Sequence, residues 1–387
     1  MSIKEIDKEY IAGTYKRFDV EIVSGKGSKV YDENGREYID LTSGIGVTSF
    51  GIADSEWKAA IVDQINRVQH MSNLYYTEPC ALLAKALCEK TGLKKVFFSN
   101  SGAEANECAI KAARKYACDK YGEDAYTIVT LENSFHGRTV TTLAATGQEH
   151  YHELFKPLTA GFEHIRAGDM NALKAICEKK RIAAVMIECI QGEGGVIALD
   201  KDFVVPLYEY CNENDILLIV DEVQTGNGRT GKLYAYMNYG ITPDIVTTAK
   251  GLAGGLPIGA ALFGEKTQNV FGFGDHGSTF GGNPVSCAAA LSIVNRIDEK
   301  LLNEVNEKSE YIFSAFNGAE GVESVSGMGL MIGIKTVKPA AEVLGKCIEN
   351  GVLCLTAKDK LRLLPALNID FEDLKKAVEI IKNVCKE

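Results

Sequence analysis

The stretch DIVTTAKGLAGGLPIGAALFG, Asp244 to Gly264, is the one on which the reading of the fold turns. It begins and ends in short runs of Val, Ile, Ala and Leu, parted by glycines and one proline, as two strands covered on both faces would be. From Thr247 to Leu262 its one ionisable side chain is Lys250. A lysine is almost never fully buried without a partner. Desolvation pushes its pKa down, and a lysine left neutral is a nucleophile. Within this window two readings stand: a lysine at a strand end that reaches out to solvent, or a reactive amine.

Working outward, further short β-rich runs appear from about residue 95 to residue 265: KVFFSN, YTIVTLEN, IAAVMIECI and ILLIVDEV. Segments of helical period lie between them. From Ala103 to Lys120 a stripe of Ala105, Cys108, Ala109, Ala112, Ala113 and Tyr116 recurs at spacings of three and four. Strands alternating with helices predict an α/β fold built on a mostly parallel sheet flanked by helices.

After about Ser292 the pattern changes. A long helix is expected to lead into strands at GLMIGIKT and LRLLPAL, with a helix from Ala340 to Asn350 and a last helix capped by Asp370. This is an α+β layout. Near the start, SKVYDENGREYIDL reads as a hairpin turned at Glu33-Asn34-Gly35. The expected division is a segment 1–50 packing on the small domain, a large domain 51–291 and a C-terminal small domain 292–387. No internal repeat or low-complexity linker is visible.

Composition excludes several classes. The chain has 387 residues, 46% hydrophobic and 24% charged, as in soluble globular proteins. Its 42 basic and 52 acidic residues leave a net charge of −10, which argues against nucleic acid or an anionic membrane as the main partner. The N-terminus lacks the apolar core of a secretory signal, and no apolar run approaches the roughly 20 residues of a membrane span. Eleven cysteines, odd in number and irregularly spaced, lie mostly in apolar stretches, so a reducing cytoplasm is expected.

In an open parallel sheet, ligands bind beyond the carboxyl ends of the strands, and the unusual residues cluster there. SNSGAEANE follows a strand and opens a helix, so Gly102 and Ala103 can present free N–H groups to an anion. Asp221 and Glu222 close a very apolar strand, where desolvated charge needs a cation or donor. SFHGRT sets an aromatic ring, Phe135, beside a cation, Arg138. Each also has an ordinary structural explanation. Together, an activatable lysine, a strand-end carboxylate, an anion-binding helix start and an aromatic ring are what pyridoxal phosphate requires.

On these residues the chain resembles the class III (subgroup II) aminotransferases of PLP fold type I. The matching stretches are TYKRFDVEIVSGKGSKVYDENGREYIDL, SNLYYTEP, FFSNSGAEANE, FHGRT, QGEGGV, LLIVDEVQTGNGRTGKLYAY, PDIVTTAKGLAGGLPIGA and STFGGNP, in the family's order from about residue 14 to about residue 290. The resemblance implies that Lys250 is the Schiff-base lysine and proton shuttle and that Asp221 pairs with the pyridine nitrogen. It sets Gln224 by the phenolic oxygen, and Val223 and Phe135 on the two faces of the ring. Gly102 and Ala103 would bind the phosphate, joined by Thr279 from a neighbouring subunit, so a homodimer is implied. Arg138 would hold the distal carboxylate, helped by Tyr15 and Ser278, and Glu193 would pair with Arg362 in the resting enzyme.

Two departures stand out. The family usually has Gly-His and then His-Pro where this chain reads FGIADSEW, and an acidic residue followed by proline where it reads Glu188-Cys189. Neither falls on a position that the resemblance assigns to the cofactor. The implied reaction moves the terminal amine of N2-acetyl-L-ornithine to 2-oxoglutarate. The alternatives are another ω-amine donor (ornithine, succinylornithine or 4-aminobutyrate) or a non-transaminating enzyme of the same fold such as an aminomutase. Tyr15 and SNLYYTEP lean toward the ornithine-type branch. No metal is expected, and NAD is disfavoured because no G-x-G-x-x-G follows the first strand of a βαβ unit.

Overall fold

The computed structural model describes residues 1–387. Near the N-terminus, β1 (Ile22–Lys26), β2 (Lys29–Asp32) and β3 (Glu37–Asp40) form an antiparallel meander. The expected hairpin is β2–β3. Asp32 Oδ1 accepts from the backbone N–H groups of Asn34 and Arg36, each at 2.9 Å, and Gly35 supplies the positive φ of +77° that the turn needs.

The central sheet follows. Its strands in chain order are β4 (Lys95–Ser99), β5 (Thr127–Leu131), β6 (Phe162–Ile165) and β7 (Ile182–Ile187). A two-residue ladder, β8 (Ile190–Gln191) with β9 (Ile197–Ala198), interrupts the series before β10 (Leu217–Asp221), β11 (Ile245–Thr248) and β12 (Gly259–Phe263). The spatial order is β4-β12-β11-β10-β7-β5-β6. Its pairings are parallel except the two made by β12. Side chains of a strand alternate between faces, and here both faces are covered. Ile128, Met186, Leu217, Ile219 and Ile245 pack with Cys108, Ala109, Ala112 and Ala113 of the helix Gly102–Tyr121. Val129, Val185, Leu218, Val220 and Val246 enter the opposite core with Phe203, Val204 and Leu207. Continuous apolar runs, rather than alternation, are the consequence.

The last strands are β13 (Val322–Met328), β14 (Met331–Thr336), β15 (Val352–Leu353), β16 (Leu355–Ala357) and β17 (Lys360–Leu363). Four of them form an antiparallel sheet in the order β13-β14-β17-β16. The fifth, β15, pairs in parallel with β3, Val352 opposite Ile39, which ties the first residues of the chain to the last part of it. The helix Ala340–Glu349 stops one residue short of expectation, and Asp370 caps Phe371–Lys386 by accepting from the N–H groups of Glu372 and Asp373. No helix is long and apolar enough to cross a membrane.

Candidate active site

The carboxyl ends of the parallel strands meet at a cavity of about 430 Å³. Phe135, Gly137 and Arg138 reach it from the loop after β5, Glu188 from the end of β7, Asp221 from β10 and Lys250 from the turn after β11. Ser101, Gly102 and Ala103 reach it from the helix that follows β4. Val223 and Gln224 complete the far wall.

At the helix start, Ser101 is the N-cap and accepts from Glu104 N. The first N–H groups of the helix have no intrahelical partner and lie at its positive end. A Cβ at position 102 would meet Val223 Cγ1 at 2.6 Å, so only glycine lets this start approach Val223.

Asp221 is 4% exposed, and its carboxylate is fixed on three sides. Asn106 Nδ2 donates to Oδ2 at 2.8 Å, His136 Nδ1 lies 2.8 Å from the same oxygen, and Val223 N donates to Oδ1 at 3.0 Å. Asn106 is itself held: it accepts from Thr247 Oγ1 at 2.6 Å and donates to the His136 carbonyl at 2.7 Å. Neither Asn106, His136 nor Thr247 was assigned a role from the sequence. The available signal was Asn106, a polar amide beside the alanine stripe of its helix, where a buried side chain must find partners.

Lys250 answers the question set by its sequence. It lines the cavity, makes no hydrogen bond or salt bridge within the chain, and holds an unusual φ of +46°. Burial pushes its ammonium below the ordinary lysine value, opposed by the charges of Glu193 and Asp221. Backbone strain and an unpartnered amine coincide at one residue, which is a mark of functional positions. The side chain is partly buried and lines the cavity wall.

Two carboxyls beside it differ in kind. Glu188 accepts from Phe135 N at 2.9 Å, and burial, then the charge of Asp221, pushes its pKa well above the ordinary range. Glu188 lines the cavity, whereas Cys189, which stands where the family usually has proline, is buried and does not. Glu193 pairs with Arg362, Nη1 to Oε1 at 2.6 Å, and receives Gln224 Nε2 at 3.3 Å. Burial alone would raise Glu193, yet the Arg362 charge and hydrogen bond, Lys250 and Gln224 together hold it below the usual carboxylate value.

Arg138 is exposed at the cavity rim without an anionic partner, its guanidinium 4.7 Å from the Tyr151 ring centroid and 5.8 Å from that of Phe135. Of the expected residues, Glu193 and Arg362 meet the cavity only through Gln224, and Tyr15, Ser278 and Thr279 are not brought to it within one chain. Tyr15 is 73% exposed with Arg17 over its ring, and Thr279 is exposed. Ser278 Oγ accepts from Asn100 Nδ2 at 3.3 Å and Gly281 N at 2.9 Å, lining a second cavity with Asn73 and Tyr75. The other departure, FGIADSEW, reaches the site indirectly: Trp57 Nε1 donates to Ala253 O at 2.7 Å, bracing the turn that carries Lys250.

A partly buried lysine without a partner, a fixed carboxylate and a helix start face one cavity, an arrangement that suits amino-group transfer. The sequence matches the class-III aminotransferase family over residues 10–385, and the chain belongs to that family. Among curated relatives it is similar to acetylornithine aminotransferase of Haemophilus ducreyi, 51% identical over 387 residues that cover 100% of this chain and 98% of the relative. Acetylornithine aminotransferase of Caldanaerobacter subterraneus is 43% identical, covering 98% of each. Among solved structures, N-acetylornithine aminotransferase of Stenotrophomonas maltophilia superposes with a TM-score of 0.85 at 33% identity, over 98% of this chain and 97% of that one. An ornithine aminotransferase of Toxoplasma gondii, whose structure has partial occupancy of PLP at the active site, gives 0.94 at 31% identity, over 99% of this chain and 93% of its own.

Proposed function

We propose that the chain is a pyridoxal-phosphate-dependent aminotransferase. It moves the terminal amine of N2-acetyl-L-ornithine to 2-oxoglutarate, giving N-acetyl-L-glutamate 5-semialdehyde and L-glutamate, a step of arginine biosynthesis. The observation that carries the reading is Lys250: an amine without a partner, lowered by burial, in the same cavity as the fixed Asp221. The residues fit the cofactor. The cradle beside Gly102 is one that a Cβ would fill, and the donor set offers N–H groups for a phosphate and a carboxylate for a pyridinium.

Bound there, pyridoxal phosphate supplies an aldehyde to take the amino group and a protonated ring that draws electrons from the reacting carbon. Lys250 Nζ would hold the cofactor at its aldehyde end and, as the base nearest the reacting atoms, would take the proton from the donor's amine-bearing carbon. Asp221 would keep the ring nitrogen protonated, and His136 and Asn106 keep Asp221 aimed. Gly102 and Ala103 would hold its phosphate, Phe135 and Val223 would enclose its ring, and Gln224 would lie by its phenolic oxygen. Arg138, assisted by Tyr15 and Ser278, binds the carboxylate at the far end of the donor. Glu193 covers Arg362 until 2-oxoglutarate arrives.

The enzyme works as a homodimer in which Thr279 of each copy completes the phosphate site of the other. Eleven free cysteines, seven of them buried, support a reducing compartment, and the cytoplasm is the proposed location. Steady-state rates with acetylornithine, ornithine, succinylornithine and 4-aminobutyrate, each with 2-oxoglutarate, test the donor. The largest kcat/KM belongs to acetylornithine; a larger value for any of the others overturns the assignment.

A further inference from the structure

Beside the catalytic cavity lies another, more open trough of about 760 Å³, lined by Glu132, Asn133, Gln148, Tyr151, Thr356 and Lys358 among others. Two contacts make its wall common with the first cavity. Tyr151 lines the trough, while its ring packs edge-on against Phe135 at 5.7 Å and lies under Arg138. Glu193 also lines the trough, while its carboxylate binds Gln224 on the catalytic side.

The lining chemistry is specific. Tyr151 Oη and Asn133 Nδ2 make no hydrogen bond within the chain and can donate. Gln148 spends its Nε2 on the Ser134 carbonyl at 3.0 Å, which leaves Oε1 as an acceptor. Asn133 is held across the trough mouth by the ammonium of Lys358, which donates to its Oδ1. Donors and an acceptor on one wall are the complement of a secondary amide, whose oxygen accepts and whose N–H donates.

The donor proposed above bears such an amide on the carbon that carries its carboxylate. With that carboxylate on Arg138, the amide substituent stands next to Tyr151, at the shared wall. We propose that the trough is the acyl subsite: it receives the acylamino group of the donor, bonding its amide through Tyr151, Asn133 and Gln148. The inference rests on the donor reading, and the test separates the two.

The comparison is between N2-acetyl-L-ornithine and 5-aminopentanoate, which has the same chain, amine and carboxylate but no acylamino group. Wild-type kcat/KM is measured for both with 2-oxoglutarate, and then for Tyr151→Phe and Thr356→Trp. Tyr151→Phe keeps the ring under Arg138 and removes one donor, so kcat/KM for acetylornithine falls roughly threefold to tenfold. Thr356→Trp fills the trough and lowers it roughly tenfold or more. With 5-aminopentanoate both variants stay within about twofold of wild type, as expected when a contact absent from that substrate is removed. Equal losses with both donors, or no loss with either, overturn the subsite while the donor reading stands. A wild-type enzyme that uses ornithine or 4-aminobutyrate but not acetylornithine overturns the donor reading, and the subsite with it.

Discussion

Arg362 and Glu193 join the C-terminal sheet to the ladder after β7 through one short contact, Nη1 to Oε1 at 2.6 Å, with Arg362 itself 4% exposed. A second acceptor, Gln224 Oε1, lies 3.2 Å from the same Nη1, while Nε is buried without a partner. The guanidinium is therefore only partly satisfied, and its remaining donors suit a carboxylate taken by both prongs.

Glu193→Ala unmasks Arg362. The donor half-reaction with acetylornithine then loses roughly tenfold relative to the half-reaction with 2-oxoglutarate, and L-glutamate gains as a donor, because a free fork attracts a carboxylate at the reacting carbon. Single-turnover rates of the two half-reactions check this. Equal losses in both mean a fixed structural pair.

Lys250→Ala removes the only amine in the cavity. Amino transfer drops by at least about 10⁴-fold, since both the nucleophile and the proton carrier are gone. The melting temperature does not fall, because a partly buried, unpaired amine is removed from a side chain that faces a cavity. Near-normal turnover would reject the role of Lys250.

Asp221→Asn places an amide where Asn106 Nδ2 and His136 Nδ1 both point at one oxygen. Activity falls roughly 10²–10³-fold through loss of the charge that favours a pyridinium. Stability falls by about 1–3 kcal/mol, because one amide cannot satisfy the donors that the carboxylate accepts. The cofactor, followed by its visible absorption, is retained. Unchanged turnover removes the electron-withdrawal argument.

Glu222 points away from the cavity and is fully buried, accepting from Thr225 Oγ1 at 2.5 Å and Tyr236 N at 2.8 Å. Burial pushes its carboxyl up to about 7 from an ordinary value of 4.5. The folded chain thus holds this proton more tightly than the unfolded one. Its contribution to stability is complete below about pH 4.5 and is lost as pH rises through about 7. In urea unfolding, Glu222→Gln narrows the stability difference between about pH 5 and about pH 8 by on the order of 2 kcal/mol. An unchanged difference would mean that Glu222 ionises normally.

The central sheet was legible because its strands are buried on both faces, so their apolar runs are continuous. β6, FEHI, sits at the sheet edge and is only partly buried, and β13, VESVSGM, carries polar residues on a half-exposed strand; neither shows such a run. At the site, Lys250 was legible as a lone charge in an apolar stretch. Asn106, His136 and Thr247 were not, because their importance lies in contacts with Asp221 across 115, 85 and 26 positions of chain or through one another. Glu188 was given no role because nothing in its own stretch of sequence shows that it turns into the cavity. Tyr15, Ser278 and Thr279 carry no burial signal in a single chain.

The parallel pairing of β3 with β15 has a consequence for synthesis. Ile39 N donates to Gly351 O and Leu41 N to Leu353 O, each at 2.8 Å, so this edge of β3 has its partner only after residue 353. A ribosome adding about 5–20 residues per second takes roughly 15–60 s to cover that distance. For that time the nascent chain presents an open strand edge, the kind of surface that recruits foreign strands. Crowded or slow translation therefore puts yield at risk well before any property of the finished catalyst matters, and a chaperone that shields the first 50 residues would restore it.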